Sequence, residues 1–123
     1  MDFGNVAVTT TAGTVILSPA GVRTTTGGVT LPAVTGTVTA ATFTVTGEGA
    51  YTYAITLPSA DLTITSGSNT MIVNAFTSTP SATGTLTAGT QTLRVGATLN
   101  VSASQAAGTY VSATPFDVTV NYN

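Results

Sequence analysis

The side chains able to do chemistry are few. Four carboxylates, Asp2, Glu48, Asp61 and Asp117, stand against two guanidinium groups, Arg23 and Arg94, and the chain has no His, Cys, Lys or Trp. Without His, Cys or Lys the usual nucleophile–base pairs cannot be assembled. A glycosidase needs two carboxyl groups facing each other across a cleft. Nothing in the spacing places Glu48 and Asp61 that way, and Glu48, between Gly47 and Gly49, reads as a turn residue. Loops around Glu48 or Asp61 could offer carboxylate and carbonyl oxygens to calcium, yet there is no EF-hand spacing and no acidic repeat. Gly27-Gly28 and Gly47-Glu48-Gly49 lack the lysine and following helix of a phosphate loop. Asn100-Val101-Ser102 fits a glycosylation sequon but lies within an expected strand. The expectation is a protein that is not an enzyme and holds no cofactor or metal.

The same scarcity limits partners. Two arginines cannot neutralise a phosphate backbone, so no nucleic-acid partner is expected. Nor can they hold an anionic membrane surface. No run is long enough to span a bilayer, so no membrane insertion is expected. The net charge is -2 and only 5% of residues are charged, against about 25% in an average soluble domain. Threonine fills the gap, at about a quarter of the chain. It is β-branched, which suits a pleated strand, and its hydroxyl tolerates water on an outer face. Met1 is followed at once by Asp2-Phe3-Gly4, with no basic or apolar leader. So uncharged a surface favours a secreted, mature chain with an added initiator Met over a cytosolic protein.

The elements that would carry any site follow from the hydrophobic period. A length of 123 residues suits one domain, spanning residues 1–123. No segment keeps a helical period over three turns. Short alternating runs with turn signals about every ten residues indicate an all-β sandwich, for which immunoglobulin-like antiparallel connections are preferred. Strands are expected at Phe3 to Val8, Thr14 to Leu17, Arg23 to Thr26 and Val29 to Leu31. Turns are expected at Thr9 to Gly13 and at Gly27-Gly28. Phe43 to Leu57 reads as a hairpin about Gly47-Glu48-Gly49. Leu62 to Ile64 and Met71 to Val73 flank a turn at Ser66 to Asn69. Phe76 to Gly84 reads as a loop and Thr85 to Ala88 as a short strand. Leu93, Val95, Leu99 and Val101 line one long strand, bulged near Gly96. Ala103 to Gly108 reads as a loop.

The chain closes on a strand in which Phe116, Val118, Val120 and Tyr122 alternate with Asp117, Thr119 and Asn121. Successive strand residues point to opposite faces, so one face is apolar and one polar. Pro115 cannot donate to a ladder and suggests an edge or a switch between sheets. Tyr51 and Tyr53 share a face of their strand. They read as core residues, with an aromatic platform for sugar rings as the functional alternative.

Three runs, Gly89 to Val101, Gln105 to Tyr110 and Val118 to Asn123, resemble a bacterial secreted family known as domain of unknown function 4402. Asp2-Phe3-Gly4, Ser18-Pro19-Ala20-Gly21 and Thr42 to Gly47 fit it too, so the resemblance covers nearly the whole chain. That family is similar to chaperone–usher pilus subunits of the archaic, spore-coat-protein-U type. The resemblance implies an incomplete immunoglobulin-like sandwich, completed when a neighbour's donor strand fills a groove beside the closing strand. On that reading the groove residues are Phe116, Val118, Val120 and Tyr122. The partners would be other copies of the same subunit, a periplasmic chaperone and an outer-membrane usher, and the product a surface fibre. The disulfide of classical pilins has no counterpart here, and only Met1 precedes Asp2 where a donor extension is expected. The rival expectation is a self-complete extracellular binding or adhesion module, with Tyr51 and Tyr53 as its glycan platform.

Overall fold

A computed structural model describes residues 1–33, 36, 38–106, 111–112 and 116–122, with Val111 and Ser112 described by backbone alone. All regular structure in these residues is β. The strands are β1 (Asp2–Phe3), β2 (Ala7–Leu17), β3 (Arg23–Thr30), β4 (Val38–Thr39), β5 (Ala41–Thr46), β6 (Thr52–Thr56), β7 (Leu62–Ser66), β8 (Asn69–Thr79), β9 (Thr83–Thr85), β10 (Thr90–Val101), β11 (Val111–Ser112) and β12 (Thr119–Tyr122). Valine and threonine dominate them because both branch at Cβ and sit well on a pleated surface.

Every pairing is antiparallel. The larger sheet runs β11-β7-β8-β10-β2-β3, with β5 also paired to β10. A smaller sheet runs β12-β6-β9, and β1 pairs with β4. β10 is the axis of the larger sheet. Along one edge it pairs with β8, and the register shifts between Gly96 and Thr98, at the bulge the sequence suggests. Along the other edge it pairs with β5 through Thr90–Val95 and with β2 through Ala97–Val101. Its odd-numbered residues from Leu93 to Val101 are all buried.

The core has two parts. One gathers Val15, Val29, Val73, Ala97, Leu99 and Val101, with Phe3, Val6 and Val8 packed against it. The other lies between the sheets and gathers Ala41, Val45, Tyr53, Leu86, Leu93 and Val95. Phe76 packs against both.

The all-β expectation holds, and the structure is an antiparallel β-sandwich. Local connections depart from expectation in several places. Thr9 to Gly13 and Gly27-Gly28 are not turns. They lie inside β2 and β3, which form one long hairpin with a register shift between Val8 and Gly13. Gly27, at φ +68°, and Gly28 let the bulged strands close up, since a side chain at Gly28 would strike Thr11. The loop expected from Phe76 to Gly84 is strand as far as Thr79, because its Ser and Thr residues stay paired to β10. The short strand expected at Thr85 to Ala88 instead lies at Thr83–Thr85, where it pairs with β6. Nor do β5 and β6 pair. β5 pairs with β10, while β6 pairs with β12 and β9. The chain crosses between layers at Gly47–Gly49, so this element is an arch and not a hairpin. Alternation puts one face inward in either arrangement and cannot tell them apart. The turn expected at Ser66 to Asn69 does close a hairpin, β7–β8, through Gly67-Ser68. Pro115 and the last two residues of the loop expected at Ala103 to Gly108, Ala107 and Gly108, lie outside the described residues.

Candidate functional site

The closing strand is one of the places where the described residues leave a strand edge unmatched. β12 pairs with β6 from Thr119↔Thr56 to Tyr122↔Tyr53. Among the described residues no strand pairs with its other edge. Among the described residues β5, in the facing layer, likewise pairs on one side only, with β10. An unpaired strand edge presents a row of N–H and C=O groups open to another chain.

Side-chain contacts place these two edges together. Phe116 meets Phe43 of β5 edge-on, with ring centroids 6.2 Å apart. It also lies against Phe76 of β8, at 5.0 Å. Such tilted and edge-to-face pairs are favourable because the ring edge is positive and its face negative. Phe116, Val118 and Val120 all pack on the inter-sheet core and are half-buried, while Asp117 and Thr119 between them are exposed. Tyr122 is 52% exposed and reaches furthest out. Its hydroxyl donates to the carbonyl of Thr46 at the end of β5. Its ring covers Gly47, where a Cβ would stand 2.5 Å from Tyr122 Oη. Only glycine leaves room for the ring there.

The structure therefore brings Phe116, Val118, Val120 and Tyr122 onto one face. It places that face against the larger sheet, at the side of the sandwich bounded by two edges that are unpaired among the described residues. Phe43, 36% exposed, and Phe76 belong to the same surface. Sequence reading missed them as partners of the closing segment. The signal available was Phe43's place in an alternating strand, but the mistaken hairpin hid which element it would face.

The aromatic platform does not form. Tyr53 is fully buried, and its hydroxyl donates to Gln91 Oε1 at 2.5 Å. Burial pushes the Tyr53 hydroxyl pKa up. Tyr51 is 60% exposed, and its backbone ties the arch to the next segment: Leu86 N–H donates to Tyr51 O. One ring sits in the core and the other in solvent, so the pair offers no shared face to a sugar. Glu48 and Asp61 are both exposed and do not meet; Asp61 accepts from Asn74 Nδ2 at 3.2 Å. Among the described residues no three acidic side chains gather at a point.

Fold and site together define an all-β antiparallel sandwich with β12 at the edge of its smaller sheet. The chain belongs to the family described as Domain of unknown function (DUF4402), whose model matches residues 1–122. No curated protein and no solved structure matches it.

Proposed function

We propose that this protein is a structural subunit of a secreted bacterial surface fibre, assembled by strand addition from one copy to the next. One observation carries the reading. Among the described residues β12 has an unpaired edge, and the apolar residues leading into it and along it, Phe116, Val118 and Val120, remain only half-buried. Soluble proteins usually protect such an edge with lysine, proline, a bulge or a covering segment. β12 is Thr-Val-Asn-Tyr, with no charged residue of its own. An incoming strand would satisfy its N–H and C=O groups and cover the apolar face at once, which is how strand addition combines affinity with register.

The resemblance of the closing segment to immunoglobulin-like pilus subunits supports the same reading. It supplies the remaining expected partners, a periplasmic chaperone and an outer-membrane usher. In this reading the protein works through an apolar groove and an edge and needs no catalytic group.

The test is an SDS gel of native material from the producing cells, with one sample boiled and one unheated. Subunits locked by inserted strands give a ladder that collapses on boiling. Val120→Asp places a charge in the groove and leaves no ladder, whereas Thr119→Asp, on the outward face of the same strand, keeps it. A single monomer band in both unmodified samples overturns the reading in favour of a self-complete module.

A further inference from the structure

The ladder between β5 and β10 fixes what Tyr122 touches. It continues past Thr46 to Gly47, whose N–H donates to Gly89 O at 2.9 Å. In an antiparallel pair, alternate residues turn their N–H and C=O to the partner strand. Gly47, Val45 and Phe43 therefore face β10 with their backbone groups, and Thr46, Thr44 and Thr42 turn theirs to the other edge. Among the described residues that edge has no strand beside it. Thr46 O is the last carbonyl that β5 offers there, and the Tyr122 hydroxyl donates to it.

Two contacts thus bridge the groove, and they differ in kind. Phe116 on Phe43 is a meeting of two rings inside the apolar layer. Tyr122 lies beyond the half-buried Val120, is 52% exposed, and occupies a backbone acceptor. Its ring rests on Gly47, where a Cβ would stand 2.8 Å from the ring carbons Cε1 and Cζ. Gly47 is not among the glycines with positive φ. What glycine supplies at this position is room for the ring.

We infer that Tyr122 is an autoinhibitory latch on the strand-accepting groove, an inference that rests on the reading of β12 as a strand acceptor. In the free subunit its hydroxyl holds Thr46 O and its ring stops the groove at the arch. A strand entering between β12 and β5 needs that oxygen for its own N–H. Its pairing along β5 is complete only when Tyr122 swings aside. The latched form does not accept the whole strand, so the apparent affinity falls by the fraction of subunits that are open. The same contact covers the end of an edge that would otherwise pair with any passing chain.

The experiment follows, by fluorescence anisotropy, the binding of a dye-labelled, lysine-capped peptide of four Thr-Val repeats to the purified protein. A peptide of the same composition in scrambled order controls for alternation. Two variants open the latch from opposite sides. Tyr122→Phe removes the hydroxyl, whereas Gly47→Ala pushes the ring from its seat and leaves β12 unaltered. Each should bind the repeat peptide faster and more tightly, by roughly two- to tenfold, the worth of one hydrogen bond. Tyr51→Phe, at the other exposed tyrosine of the arch, should match the unmodified protein. Circular dichroism verifies that each variant is folded. Equal binding by the unmodified protein and both latch variants overturns the latch and leaves the groove standing. Weaker binding by those variants also overturns it, since Tyr122 would then be part of the docking surface. Binding by none of the forms, or equal binding of the scrambled peptide, overturns the groove and the latch together.

Discussion

β10 and the closing segment carry the same pattern and meet different fates. In β10, Leu93, Val95, Ala97, Leu99 and Val101 alternate with Arg94, Gly96, Thr98 and Asn100; all five inward residues are buried, Leu93 and Val95 completely. In the closing segment, Phe116, Val118 and Val120 alternate with Asp117 and Thr119 and are only half-buried. β10 has strands on both edges, whereas β12 has one on a single edge among the described residues. Burial of a strand residue depends on the neighbours beside it as well as the layer beneath it. The comparison teaches that alternation reports which way a side chain points, and pairing decides how far it is removed from water.

Substitutions can sharpen that contrast. Leu93→Ala, at a fully buried site ringed by paired strands, should cost the most, about 2–5 kcal/mol of unfolding free energy. Chemical denaturation measures it, and a loss no larger than that from Val120→Ala would break the contrast. Val120→Ala itself should cost about 1 kcal/mol or less in the isolated subunit, because less apolar area leaves water there. If strand addition occurs, the same change should shorten the boiling-sensitive ladder out of proportion to that small loss.

Tyr122→Phe removes the hydroxyl that joins the end of β12 to Thr46 O and keeps the ring over Gly47. A loss of about 0.5–1.5 kcal/mol is expected. Amide hydrogen exchange should quicken at Tyr53 and Ile55, which pair with Tyr122 and Val120, and stay unchanged in β10.

The smallest effect concerns pH. The Tyr53 hydroxyl pKa is raised by burial, so the folded state holds this proton more tightly than the unfolded state. Its contribution is fully present below the ordinary tyrosine value of about 10 and is lost as pH rises through the raised folded value. Stability should therefore decline in that alkaline range, and the decline should be shallower in Tyr53→Phe. Thermal melts across the range measure both.

Much of this molecule was legible in its residues. Threonine and valine in alternation specify strands, and the closing segment's apolar face was readable residue by residue from Phe116 to Tyr122. So was the bulge near Gly96. Local connections were less legible. Gly27-Gly28 reads as a turn because glycine permits one, yet here it lets β3 lie close against β2. Gly47–Gly49 reads as a hairpin turn, and the choice between hairpin and arch rests on distant residues. Gly47 N–H donates to Gly89 O and Gly89 N–H to Gly49 O, 40 or more positions along the chain.

The sequence by itself determined the β character, the facing of each strand and the poverty of reactive groups. Each of these depends on a residue's own chemistry or on neighbours two positions away. Only the tertiary structure decided which strands pair, that Tyr53 is core while Tyr51 is surface, and that β12, among the described residues, keeps an open edge on the side of β5. Strand partners are chosen among many apolar faces of equal period, and the choice is made by packing the whole set at once.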